Sequence, residues 1–281
     1  MTTCVEANGA FEAEATQASQ ISDVSKTLLI PVWARAVETQ RKDGIIQDPY
    51  AGRIVSEYDH DFSSYGKANW KSQLGIAIRT RHFDRAVAQF LTTHPRGVIV
   101  NLGCGFDARS YRMDNGMALW FDLDFPEVLE HRNRFFDEDC RHVMLGYSAL
   151  DDDWYQKIPR DLPLLILAEG LFMYFSEHDM KTLIQSFATE FSDAELVFDT
   201  VGTMLVNRSK IHDTLSKCKN VEFTWGLDDA TEVCRWSKKI KVLEVRNLFE
   251  TQHARWNVWT LLSLIPKIRK STQVFRYRIA H

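Results

Sequence analysis

Three short runs constrain this chain more than anything else in it: VIVNL at 98–102, LLILAEG at 164–170 and ELVFDTV at 195–201. None alternates polar with apolar residues. A strand with one wet face must alternate, so uninterrupted leucine and β-branched runs mark strands covered on both faces. Helical segments fall between them: 126–138 (PEVLEHRNRFFDE), with Pro126 in its first turn, and the amphipathic HDMKTLIQSFATEF. Further strands are read at 117–123 (MALWFDL) and 141–146. Strand alternating with helix predicts a Rossmann-like α/β fold, a doubly wound and mostly parallel sheet.

The ends of the chain depart from that rhythm. A helical pattern runs from about residue 22 through SKTLLIPVWARAVETQ, with Pro31 placed to kink it, and KDGIIQDPYA carries turn signals. A second helix is predicted from Lys71 to Thr93. After the last parallel strand, 203–237 reads as helical and irregular, 241–249 as a strand, ARWNVWTLLSLI as a helix and 272–280 as a final strand. No linker divides the chain. We expect residues 1–20 to form a loosely docked lead-in and 21–281 a single domain, with 21–68 and 203–237 as a helical cap.

Bulk properties exclude several functions. Net charge is −4 over 281 residues, so no broad positive field invites nucleic acid. No apolar run is long enough to span a bilayer, and the acidic N-terminus lacks the features of a signal peptide. The five cysteines (Cys4, Cys104, Cys140, Cys218 and Cys234) are scattered without a C-x-x-C pair. This argues against a disulfide framework or a metal site, and for a reducing cytoplasm. Cys104, inside a glycine turn, reads better as a small residue filling space than as a nucleophile.

The stretch NLGCGFDARSYR places Gly103 and Gly105 directly after the first buried strand. In an open parallel sheet, ligands bind beyond the carboxyl ends of the strands, and glycine there permits a sharp turn and a close approach. The next strand ends in Asp122 and Asp124, about twenty residues on, where an acid can accept hydrogen bonds from ribose hydroxyls. A nucleoside-containing cofactor follows. GCGFDA also satisfies the relaxed dinucleotide pattern, so a nicotinamide enzyme competes. Against it, Asp107 would repel a pyrophosphate. S-adenosyl-L-methionine, with a ribose, no phosphate and a positive sulfonium, fits better.

Four motifs in order (TLLIPVWARAVE, NLGCGFDARSYR, WFDLDFPEV and LAEGLFMYF) resemble the leucine carboxyl methyltransferase family. The nearer likeness is to its bacterial branch, similar to the tetracenomycin polyketide O-methyltransferases, and it extends from about residue 21 onward. The resemblance implies a class I sheet of seven strands, the last antiparallel, that binds S-adenosyl-L-methionine. It assigns Arg79 to the methionyl carboxylate, Gly103 to close contact with the cofactor, Asp124 to the ribose with Asp122 a near alternative, and Glu169 to the cofactor at the end of the fourth strand. Lys26 corresponds to an N-terminal cofactor-binding lysine, and the adenine is expected around Ser148, Ala149 and Leu150.

The implied activity is O-methylation of a small polyketide-like or aromatic acid. A protein C-terminal carboxylate as acceptor, and a non-catalytic binding module, are the alternatives. His178 and His212 are the available bases, but neither sits in a base constellation. That favours an acceptor which is already ionised, a carboxylate with a pKa of about 4 over a phenol of about 10. Tyr174, Phe172, Trp33, Trp225, Trp256 and Trp259 are candidate pocket walls, with Tyr174 a candidate for positioning substrate.

Overall fold

The strands are β1 (Val98–Leu102), β2 (Leu119–Asp124), β3 (His142–Gly146), β4 (Leu164–Ala168), β5 (Ala194–Val201), β6 (Ile240–Asn247) and β7 (Thr272–Ile279). In the computed structural model, which describes residues 28–66, 69–208 and 222–281, they join into one sheet ordered β3-β2-β1-β4-β5-β7-β6. The first five run parallel, and β7 lies antiparallel to both β5 and β6. The alternating pattern called for the mostly parallel sheet, and the family resemblance for seven strands with the last antiparallel.

The three apolar runs are buried along their whole length because both faces are covered. Alternate residues of β1 point to opposite sides. Val98, Val100 and Leu102 join a core with Leu183, Ile184 and Phe187 of α6 (Glu177–Glu190). Ile99 joins another with Phe83, Val87 and Phe90 of α3 (Trp70–Thr93). β6 is the outer strand and exposes Leu243 and Val245.

α1 (Leu29–Thr39) is wedged between two apolar clusters. Leu29, Val32 and Ala36 face Ala51 and Ile54 of α2 (Pro49–Glu57) together with Phe106, while Ile30, Trp33 and Ala34 face Ile76, Met173 and Phe223. Pro31 lies in the first turn of α1, where the missing N–H has no helical partner to lose, so it bends nothing.

Other boundaries moved for local reasons. The turn signals at 43–49 lead straight into α2, because Asp48 accepts from the Ala51 amide as an N-cap and Pro49 begins the helix. The helix expected at 126–138 ends at Arg132 as α5 (Pro126–Arg132). The one expected over ARWNVWTLLSLI is broken by Asn257 at φ 53, which separates two short helices, His253–Trp256 and Val258–Leu262. Within 203–237 the described residues hold only single helical turns, at Thr203–Leu205 and Thr231–Cys234. Among the described residues no helix is long and apolar enough to cross a membrane.

Candidate active site

The chain runs outward from β1 to β3 on one side, then returns to place β4 on the other side of β1. The strand order therefore reverses between β1 and β4, the position where open sheets bind ligands. The strand registers bring four residues together there. Leu102 pairs with Leu123 and with Ala168, and Ala168 pairs with Phe198. One residue further on, Asp124, Gly103, Glu169 and Asp199 stand in a row across the carboxyl edge. They line a cavity of about 240 Å³ whose opposite wall is apolar: Ile30, Ile76, Met173, Tyr174 and Phe223.

Gly103 (φ 61) and Gly105 (φ 47) both adopt the left-handed conformation that glycine tolerates. The space over each is met by a leucine of the protein itself: a Cβ would lie 3.0 Å from Leu171 at Gly103 and 3.1 Å from Leu28 at Gly105. The two glycines thus serve the turn and its packing as well as bordering the cavity. The loop is pinned from below by Arg132, which donates to the carbonyls of Gly105 (2.9 Å) and Asp107 (2.7 Å).

The acids of the loop have distinct duties. Asp124 accepts from the amides of Gly105 (2.7 Å) and Phe125 (2.8 Å), one on each oxygen, and lines the cavity. Burial raises its pKa, an effect that those two amides and Arg132 only partly offset. Asp122 is engaged elsewhere, by Asn101, by the Ser110 hydroxyl at 3.0 Å and by Arg132, and is absent from the cavity lining. Asp107 is also matched: burial alone would raise its pKa, but Arg109, Arg112, Arg35 and Arg132 hold it far below the usual carboxylate range. Its charge is therefore not free to repel a phosphate, contrary to the expectation from sequence.

The Gly105 amide is taken by Asp124, the Cys104 amide by the Leu123 carbonyl and the Arg109 amide by Asp107. The helix that follows, α4 (Arg109–Arg112), is four residues long. These turn amides are thus already occupied and unavailable to a pyrophosphate.

Beyond the loop, arginines and acids form a chain. Arg79 donates from Nε to Glu169 (3.0 Å) and from Nη1 to Asp199 (3.2 Å). The other Glu169 oxygen accepts from Arg109, which also pairs with Asp107 and Asp84. Arg112 continues to Asp84 and Asp48, and Arg35 joins Asp48 to the Phe106 carbonyl. Burial alone would raise the Glu169 pKa, but Arg109 and Arg79 keep it below its ordinary value. Cys104 is buried, and burial pushes its thiol well up, so it is no nucleophile.

Residues 29–188 match the family model described as leucine carboxyl methyltransferase. The chain belongs to this family. Among curated relatives, the tetracenomycin polyketide synthesis O-methyltransferase TcmP of Streptomyces glaucescens is 28% identical over 265 residues, covering 92% of this chain and 97% of the relative. The S-adenosyl-L-methionine-dependent methyltransferase dpfgK of Gibberella zeae is also 28% identical, over 76% of this chain and 78% of its own. In fold, the chain resembles a Thermobifida fusca protein assigned to the methyltransferases (TM-score 0.57, 14% identity, 88% of this chain and 94% of that one). A DUF574 family protein of Streptomyces avermitilis scores the same (TM-score 0.57, 8% identity, 88% and 96%).

Of the residues singled out in the sequence, Arg79, Gly103, Asp124 and Glu169, which the family resemblance implies, and Gly105 and Tyr174, read from their places at the strand ends, all border this cavity. Ser148, Ala149 and Leu150 stand outside its lining, in a turn closed by Asp151 accepting from the Ser148 amide at 2.9 Å. Leu150 and Phe125 are nonetheless exposed apolar side chains, one after β3 and the other after β2. Lys26 and His212 lie outside the described residues. His178 lies within the Ser176–Asp179 capping box at the start of α6 and is not among the residues lining the cavity.

Among the aromatic candidates, Phe172 is fully buried against Phe198, Trp33 against Tyr65 and Trp225 against Phe198. Trp256 packs on Phe249, and Trp259 lies under the Lys71 ammonium.

Asp199 and Phe223 are among the cavity residues that the sequence reading did not single out. Asp199 had a signal: an acid inside the apolar run ELVFDTV, at the ligand end of its strand. Phe223 had none. It reaches the cavity because its carbonyl accepts from Asn207 and the following amides donate to the Met173 carbonyl, which sets its ring 5.8 Å from Tyr174.

Proposed function

We propose that this chain is an S-adenosyl-L-methionine-dependent O-methyltransferase whose acceptor is a carboxylate of a small polyketide-like or aromatic acid. The observation that carries the reading is the row of Asp124, Gly103 and Glu169 along the strand ends, facing an apolar wall across one cavity. The residues fit the cofactor. Asp124 keeps a free lone pair on each oxygen for ribose hydroxyls, and the Arg79 Nη2 has no hydrogen-bond partner among the described residues and suits the methionyl carboxylate. Phe125, 51% exposed, and Leu150 offer apolar surface for the adenine. When bound, the cofactor supplies a methyl group activated by the sulfonium.

The protein then has to bring an acceptor oxygen into line with that methyl, and positioning of this kind contributes roughly 7–11 kcal/mol. Tyr174, Phe223, Met173, Ile76 and Ile30 supply contact area and exclude water from the acceptor side. Among the described residues, no histidine lines the cavity. Glu169 and Asp107 are each gripped by arginines, and Asp199 is hydrogen-bonded on both oxygens. None is placed to take a proton from a phenol, which supports an acceptor that arrives ionised. The Glu169 side chain is only 9% exposed, behind walls from α1 and residue 223, which suits a small molecule better than a protein terminus. The free thiols of Cys104, Cys140 and Cys234 suit a reducing cytoplasm.

The test is calorimetric titration of the full chain with S-adenosyl-L-homocysteine and with NAD, followed by a mass-shift screen of aromatic acids. Micromolar binding of the first ligand, none of the second, and a mass gain of one methyl on an acid but not on its amide are expected. Binding without turnover of any acceptor would favour the binding-module reading.

A further inference from the structure

Arg79 reaches the cavity from α3, but two neighbouring strands decide where its guanidinium points. Glu169 follows β4 and Asp199 lies on β5, side by side in the sheet register. Each takes a different N–H of Arg79: Glu169 from Nε at 3.0 Å, Asp199 from Nη1 at 3.2 Å. The other Asp199 oxygen accepts from the Gly170 amide at 2.6 Å. Gly170 has φ 70, and a Cβ there would lie 3.2 Å from both Nη atoms of Arg79. One carboxylate therefore fixes both the guanidinium and the glycine turn that makes room for it. Asp199 itself is sealed: its side chain is 0% exposed, whereas that of Arg79 is 13% exposed. Asp199 therefore borders the cavity without an exposed surface of its own, and it acts on the cavity through the groups it holds, Arg79 and the Gly170 turn.

We propose that Asp199 is a positioning residue that aims the Arg79 guanidinium at the carboxylate of the cofactor's methionyl end. The proposal rests on the reading that Arg79 binds that carboxylate. Held at two N–H groups by two carboxylates on a rigid sheet edge, the guanidinium loses the rotational freedom a long side chain would otherwise keep. Without Asp199 it stays charged and paired to Glu169, but turns about that single bond. The cofactor's adenosyl half, gripped at Asp124 on the far side of Gly103, should not feel the change.

Two probes separate the halves: S-adenosyl-L-homocysteine carries the amino-acid carboxylate, and 5′-methylthioadenosine lacks it. Titration of the full chain should show Arg79→Gln losing about tenfold or more in affinity for S-adenosyl-L-homocysteine, with 5′-methylthioadenosine unchanged. If both affinities stay as in the wild type, the reading of Arg79 is wrong and the proposal falls with it. Given that Arg79 behaves as expected, Asp199→Asn should show the same selective loss, and Arg79→Gln combined with Asp199→Asn should be no weaker than Arg79→Gln alone. Equal loss of both ligands, or loss of neither, overturns the role of Asp199 while leaving that of Arg79 intact. Should Asp199→Asn not fold, Asp199→Glu, which keeps the charge, is titrated in its place. Selective weakening of S-adenosyl-L-homocysteine supports the proposal, and unselective or absent weakening overturns it.

Discussion

Asp124 is pulled in two directions, and the balance gives it a measurable trait. Burial raises its pKa; the amides of Gly105 and Phe125 and the charge of Arg132 lower it, and burial wins. The ionised form is the one that accepts from ribose hydroxyls. Cofactor affinity should therefore fall on acidification at a pH above the ordinary aspartate value of about 4, while the fold is still intact. Titration with S-adenosyl-L-homocysteine across that range, alongside circular dichroism, checks this; affinity that stays flat until unfolding would remove Asp124 from the ribose. Asp124→Ala should weaken cofactor binding without unfolding the chain. Gly103→Ala should differ from it by lowering stability as well, by about 1–3 kcal/mol, because its φ of 61 is strained for alanine and its Cβ would press on Leu171. The sequence offered Asp122 and Asp124 as equals. Which of them faces the cavity depends on Asn101, Ser110 and Arg132, which occupy Asp122 and are ten or more residues away from it in the chain.

At the scale of elements, patterns that close within one turn were legible. The long helix read as Lys71–Thr93 is observed as Trp70–Thr93, and the Ser176–Asp179 box opens α6. Ser176→Ala should cost about 1 kcal/mol in urea denaturation, since it removes the acceptor for the Asp179 amide. Patterns with two local solutions were misread. Asp48-Pro49 signals a turn and also caps a helix, and the cap prevails because Asp48 additionally pairs with Arg35 and Arg112. The ends of the chain are joined by a contact no local pattern announces. Glu38 of α1, fully buried, takes both Nη groups of Arg255 (2.8 and 2.7 Å) and accepts from Gln73 of α3 at 2.8 Å and from the Ile45 amide at 2.9 Å. Glu38→Gln leaves Arg255 without its charge partner and should lower stability by about 3–5 kcal/mol, read from the denaturation midpoint.

For the whole molecule, the buried ion pairs set how stability follows pH. Burial alone would raise the pKa values of Glu38 and Asp107, but their partners hold both below normal, as they do for Glu169. A depressed folded-state pKa contributes stability above the unfolded value of about 4, and that contribution disappears as pH falls through the folded value. Asp124 and Asp199, both raised by burial, act in the opposite sense: they oppose folding once ionised and are relieved on acidification. The wild type should thus lose stability below about pH 4, and Glu38→Gln should show a shallower loss over the same range; parallel curves would show that Glu38 contributes nothing to the linkage. The sequence by itself determined the parallel sheet, its glycine turn and the acids at its strand ends, because continuous apolar runs and turn residues act through contacts near in the chain. Only the tertiary structure decided which acids meet the cavity, which arginines hold them, and which aromatic closes the far wall. Those outcomes follow from strand register and from ion pairs between residues as far apart as 79 and 199, and no short window of sequence contains both partners.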